Sequence, residues 1–174
     1  MTSSTHTPTS SPLQTLFRYK SWANDELFGV LAGVDASAHP SALHSAIRIL
    51  NHAHVVDCIF KGHLLGVPHG YAATNTQDTP ALPALAAAVR EVDAWYVAYV
   101  VSLPPAALDE RVRFTFTDGD AGLMTREEML LHVITHNGYH RGQAGQVLRS
   151  RASVAPPRDL YTRFLHTSEP ERRA

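Results

Sequence analysis

Three histidines recur every fourth residue late in the chain: His132, His136 and His140. On a helix each step of four advances about 40° around the axis, so the three lie within an arc of about 80°. Met129, Val133 and Val147 share that arc, whereas Glu127, Glu128, Thr135 and Arg149 fall on the far side. The imidazoles therefore point the way the apolar residues point, into a core, where each polar ring nitrogen needs a partner. Metal ligation would supply one. Side chains at i and i+4 sit about 5–6 Å apart at Cβ, and two leaning rings can bring nitrogens to about 2.0–2.1 Å from one ion. The competing reading is a hydrogen-bonded histidine ladder, and a third ligand from elsewhere in the chain has to decide between them.

The segment 40–65 offers three more histidines. On a helix, Ile49, Val56, Ile59 and Phe60 lie within about 80° of His52, which makes His52 the inward one. His54 falls about 200° away and reads as a surface residue. His63 shares the face of His52 but stands about 16 Å further along the axis, too far to bind the same ion. Asp57, about 140° from His52, reads equally as a surface, salt-bridge or site residue, and Cys58, at about 240°, points away. Asn51, Arg141 and Gln143 flank the candidate ligands. Of these, Gln143 shares the histidine face, and Tyr139 borders it, where core packing explains it equally well.

These residues need helices to position them, and the chain supplies four long amphipathic segments. Ser11–Pro12 resembles an N-cap followed by proline at the first helical position. Leu13, Leu16, Phe17, Ala23, Leu27 and Leu31 then predict a helix over about 12–32, with Gly33 as its stop and Trp22 and Phe28 as core bulk. A second helix is expected from Pro40 to Leu65, ended by Gly66 and Pro68, and a third over about 81–103, ended by Pro104–Pro105. Residues 66–80 read as an irregular connection. In residues 110–124, Val112, Phe114 and Phe116 alternate with polar residues before Asp118–Gly119, the pattern of either a small hairpin or an extended loop. Thr125 with Glu128 forms a capping box that opens a fourth helix, running to about Arg151. Gly138, Gly142 and Gly145 inside it call for a close backbone approach or a kink. A short fifth helix is expected at about 157–166. Residues 1–10 read as a disordered lead-in, 11–166 as a single domain and 167–174 as a polar, frayed tail.

Composition narrows the function classes. The chain has 174 residues, 44% hydrophobic and 18% charged, with a formal net charge of −1. That is an ordinary globular balance with no basic patch, so no nucleic-acid partner is expected. No apolar run is long enough for a spanning helix, so no membrane partner is expected, and the Ser/Thr-rich start lacks the apolar core of a secretory signal. One cysteine excludes an intrachain disulfide framework, and a cytoplasmic location is the expectation. Eleven histidines against that single cysteine direct any metal hypothesis to nitrogen ligands.

Four such segments predict an all-α fold, a four-helix bundle, in which metal sites lie between facing helices. LFRYKSWANDELF near the start, ILNHAHVVDCIF in the second segment and LLHVITHNGYHRGQ in the fourth resemble, in order, the three signature stretches of the DinB/YfiT-like superfamily. The resemblance covers roughly residues 13–165, and its most specific part is the last stretch. It implies a four-helix bundle, often dimeric, in which three histidines bind one divalent metal. Carried over residue by residue, the ligands are His52, His136 and His140. His132 matches a histidine common in the motif that is not one of the usual ligands and reads as a supporting or packing residue, and Gln143, from its place on the histidine face, is the other supporting candidate. Geometry alone leaves His132/His136 and His136/His140 equally open. Phe60 stands where the family often has tryptophan, and His54 where it often has an apolar or aromatic residue.

Three neutral imidazoles leave coordination positions open, unlike a closed structural site. By resemblance the expected activity is metal-dependent activation of a low-molecular-weight thiol for S-transfer or isomerisation of a small-molecule substrate, in a homodimer. The alternatives are a hydrolase using metal-bound water and a non-catalytic, metal-stabilised dimer. Imidazole suits zinc and nickel foremost, with iron, manganese and cobalt as further choices.

Overall fold

The computed structural model describes residues 11–173, so the reading of residues 1–10 as a lead-in lies outside the described residues. The chain is mostly helical. Helix α1 spans Pro12–Ala32, with a full capping box between Ser11 and Gln14 and proline in the first turn. Helix α2 spans Pro40–Leu65 and ends at Gly66, whose φ of 67° places it in the left-handed region that glycine adopts without strain. Helix α3 covers Leu82–Ser102, and a 3-10 turn follows at Pro105–Asp109.

The alternation in 110–124 resolves as a hairpin. Strand β1, Arg111–Thr115, pairs antiparallel with β2, Ala121–Thr125, and Phe114 faces Gly122 across the ladder. Thr125 then caps α4, Arg126–Ala152: its hydroxyl accepts from the Glu128 N–H, and the Glu128 carboxylate accepts from the Thr125 N–H.

Helix α5 runs Tyr161–Ser168 instead of the expected 157–166, and a 3-10 turn follows at Pro170–Arg173. The later start has a tertiary cause. The Asp159 carboxylate is held by both Arg141 and Tyr19, which keeps this stretch out of a helix and against α4 and α1. Gly145 answers part of the question raised by the glycines of α4. A Cβ there would sit 3.0 Å from the Pro156 ring, so the glycine lets this segment approach closely.

Helix α2 packs along α4 and α1 along α3, with further contacts between α1 and α4 and between α2 and α3. The interior is in two apolar parts. Phe17, Val56, Phe60, Tyr96, Met129 and Val133 fill the end nearer the hairpin. Leu27, Phe28, Leu31, Leu50, Val89 and Leu148 fill the other.

Along α1 and α4 a layer of buried polar side chains separates the two. Lys20 reaches Asp57 at 2.8 Å and also Asp93. Asn24 donates to Asp93, Asn137 donates to Asp57 at 2.7 Å, and Arg141 donates to Asn24. This corrects the open reading of Asp57: it is buried and anchors α1 to α2 and α4. Burial pushes its carboxyl up to about 6, even beside an ammonium. Burial works to lower Lys20, but the two carboxylates outweigh it, and its pKa is raised. Trp22, expected in the core, is instead half-buried under α5, where it meets Phe164 and Arg163. No helix among the described residues is long and apolar enough to cross a membrane.

Candidate metal centre

The site forms in the groove between α2 and α4, at the level of the polar layer. His52 projects from α2 and His136 and His140 from successive turns of α4, all half-buried. Their Nε2 atoms converge: His136 lies 3.2 Å from His52 and 3.0 Å from His140. Nitrogens about 2.0–2.1 Å from a shared ion stand about 3.0–3.4 Å apart, so the spacing is that of ligand atoms around one cation. The three residues form a cluster that could hold a metal ion.

Hydrogen bonding on the outer side of the rings fixes which nitrogen faces inward. His52 Nδ1 lies 2.7 Å from the Thr74 carbonyl, and His140 Nδ1 lies 2.8 Å from Gln143 Oε1. Both partners accept, so both Nδ1 atoms carry the proton and both Nε2 atoms present lone pairs to the centre. His136 can donate to only one of them. At least one inward lone pair thus has no proton to accept within the triad, and the arrangement is compatible with a shared cation. The donor set is three neutral imidazoles. Burial, and then the facing imidazoles, push His136 down to about 3, and burial lowers His140. His136 Nδ1 has no acceptor among the described residues. Its ring is held by stacking instead, with Phe60, His132 and His136 forming a continuous column at centroid spacings of 4.6 and 5.2 Å.

The remaining sequence candidates fall as follows. His132 is in that column beside the triad, its pKa lowered by burial. Gln143 touches His140. Arg141 turns away, to Asp159 and Asn24. His54 is not the surface residue expected. It is half-buried, its Nε2 3.7 Å from Cys58 Sγ, because the 66–81 connection covers that side of α2 with Tyr71 beside Cys58. Tyr139 does not pack in the core: it is 65% exposed. His63 stays away from the triad and packs between Phe60, His69 and Phe114.

Two contributors escaped the sequence reading. Thr74 acts through its carbonyl, which every residue has, so no residue type could reveal it. The segment carrying it is anchored by Asn51, whose amide donates to Asn75 and Thr76, and by Arg48, which donates to the Thr76 carbonyl. Lys20 did leave a signal: it occupies the slot between Phe17 and Asn24 in the inward stripe of α1, where an apolar residue would be expected.

No curated protein and no solved structure matches the chain. The DinB family pattern matches residues 1–173, effectively the whole length. On that match, with the three-histidine cluster between α2 and α4, the chain belongs to the DinB family.

Proposed function

We propose that this protein is a metal-dependent enzyme that holds one divalent ion on His52, His136 and His140 and activates a low-molecular-weight thiol for S-transfer or isomerisation. The observation that carries this reading is the convergence of three Nε2 atoms whose lone pairs face one point. When bound, the cation supplies a Lewis acid that favours a thiol in its nucleophilic thiolate form. The chain's own residues orient the site. Thr74 and Gln143 hold two imidazole tautomers, and the Phe60–His132 column holds the third ring. Cys58 packs with His54 outside the triad, so the sulfur comes from a small molecule. Zinc or nickel suits the donor set best, with iron, manganese or cobalt as alternatives. Three facts support a catalytic over a closed structural site: among the described residues only three protein donors converge, the rings are half-buried, and a cavity opens beside them.

The test is elemental analysis of protein prepared without a nickel column, followed by thiol titration of the cobalt-substituted form. About one ion per chain and a sulfur-to-metal charge-transfer band are expected. A cobalt spectrum unmoved by several physiological thiols overturns the thiol chemistry, and activity independent of thiol would favour a hydrolase.

The pairing of the four long helices supports a four-helix bundle forming one domain over residues 11–166. A homodimer is part of the same proposal. The α1–α3 face presents Ala94, Val97, Ala98 and Val101 around a groove, with Val101 63% exposed. A monomeric mass by light scattering at micromolar concentration would refute the dimer. A cytoplasmic setting, where small thiols stay reduced, fits the single free cysteine.

A further inference from the structure

The hairpin places a second feature beside the triad. Residues i and i+2 of a strand share a face, so Phe114 and Phe116 project together from β1 and its end, and their rings meet at 4.8 Å. Gly122, opposite Phe114, makes room for this. A Cβ there would fall 2.4 Å from the Phe114 ring, which therefore lies across β2 and reaches Phe60 at 6.1 Å and His63 at 4.8 Å. Val56, Ile59 and Phe60 of α2 and His132 of α4 complete a cavity of about 200 Å³, and His52 and His136 form the side toward the triad.

No Asp, Glu, Lys or Arg lines this cavity. In the metal-free chain a charged group entering it would lose its hydration with no formal counter-charge in the lining to replace it. An apolar group would gain contact with aliphatic and aromatic carbon. The size sets a second limit: a cavity of about 150 Å³ holds benzene, so this one accommodates a single substituted ring or a short branched chain.

We propose that this cavity is a substrate subsite for a neutral, apolar group about the size of one ring, seated between the hairpin phenylalanines and α2 with its reactive end toward His52 and His136. This rests on the metal-dependent reading only for which end of the ligand faces the triad, and its test needs no metal. The full-length, metal-free chain is titrated with benzyl alcohol, benzoate and benzylammonium, with ring signals of Phe114 and His132 followed by NMR. Benzyl alcohol is expected to bind saturably and shift those signals, with the two charged analogues at least tenfold weaker. Ile59→Trp fills the cavity and should remove the binding. Phe116→Ala alters an exposed hairpin side chain and should weaken it several-fold. Equal affinity for all three probes overturns the proposal, as does undiminished benzyl alcohol binding in both variants. Metal stoichiometry is read separately by elemental analysis. Ring binding by a chain that takes up no metal in elemental analysis refutes the metal reading alone, and stoichiometric metal uptake without ring binding to the metal-free form refutes the subsite alone.

Discussion

At the scale of single residues, the triad divides histidines that look alike in sequence. His52, His136 and His140 bring Nε2 atoms to one point, while His54 and His63 are buried by other neighbours: the first beside Cys58, the second among Phe60, His69 and Phe114. Alanine at any of the first three leaves two imidazoles, too few to hold an ion against water. His52→Ala, His136→Ala and His140→Ala should each abolish stoichiometric metal binding in elemental analysis, and His54→Ala and His63→Ala should not. Full metal content in His136→Ala would remove the assignment. The inward face of the histidine row was legible because a four-residue step is a property of the helix itself. The choice of His140 over His132 was not, since both sit one turn from His136. It depends on where α2 delivers His52, a tertiary fact that only the family resemblance anticipated.

At the scale of elements, helix ends were more readable than the connections between helices. The start of α1 and of α4 is written in local residue chemistry: Ser11 caps α1 ahead of Pro12, with Gln14 completing a box that the sequence reading does not include, and the expected Thr125–Glu128 box forms. The α4 box matters beyond its helix, because Thr125 is also the last residue of β2 and so joins the cavity wall to the ligand-bearing helix. Thr125→Ala should cost about 1 kcal/mol, the usual worth of an N-cap, measurable as a lower urea midpoint with metal stoichiometry intact. The start of α5 was misplaced because Pro156–Pro157 looks like a helix opening. What fixes residues 153–160 is the distant pull of Arg141 and Tyr19 on Asp159. The stretch 66–80 reads as irregular in sequence, and the structure has no helix or strand there, but its hold on His52 through Thr74 runs through a backbone group that leaves no compositional trace.

At the scale of the whole molecule, the buried polar layer ties all four long helices through Lys20, Asp57, Asp93 and Asn137. Removing the ammonium leaves two buried carboxylates without their cation, which typically costs about 3–5 kcal/mol. Lys20→Met should therefore lower stability by about that much at pH 8. The sign of the pH dependence follows from Asp57, whose folded pKa of about 6 stands above its ordinary 3.8. Between those values the folded state binds a proton that the unfolded state releases, so this group adds stability as pH falls through the window. Without Lys20, which works to lower the Asp57 pKa, Asp57 holds its proton more tightly still. The gap between variant and parent should therefore shrink from pH 8 to pH 5.5 in urea melts, and a gap that widens would contradict the assigned pairing. Hydrophobic periodicity pointed to four packed helices, but not to this layer. A lysine in an apolar stripe marks it only once the partners on α2, α3 and α4 are known.

The three imidazoles come from helices, whereas the Phe114–Phe116 wall comes from a hairpin spliced between α3 and α4. In the proposed function, coordination and ligand choice therefore fall to separate stretches of chain. On the proposed reading, changes at Phe116 and Thr117, near the hairpin tip, should alter what the cavity accepts while His52, His136 and His140 keep their places on α2 and α4. Library diversification confined to Phe116 and Thr117 would leave the buried Phe114 packing intact and is an engineering route to altered selectivity on this scaffold.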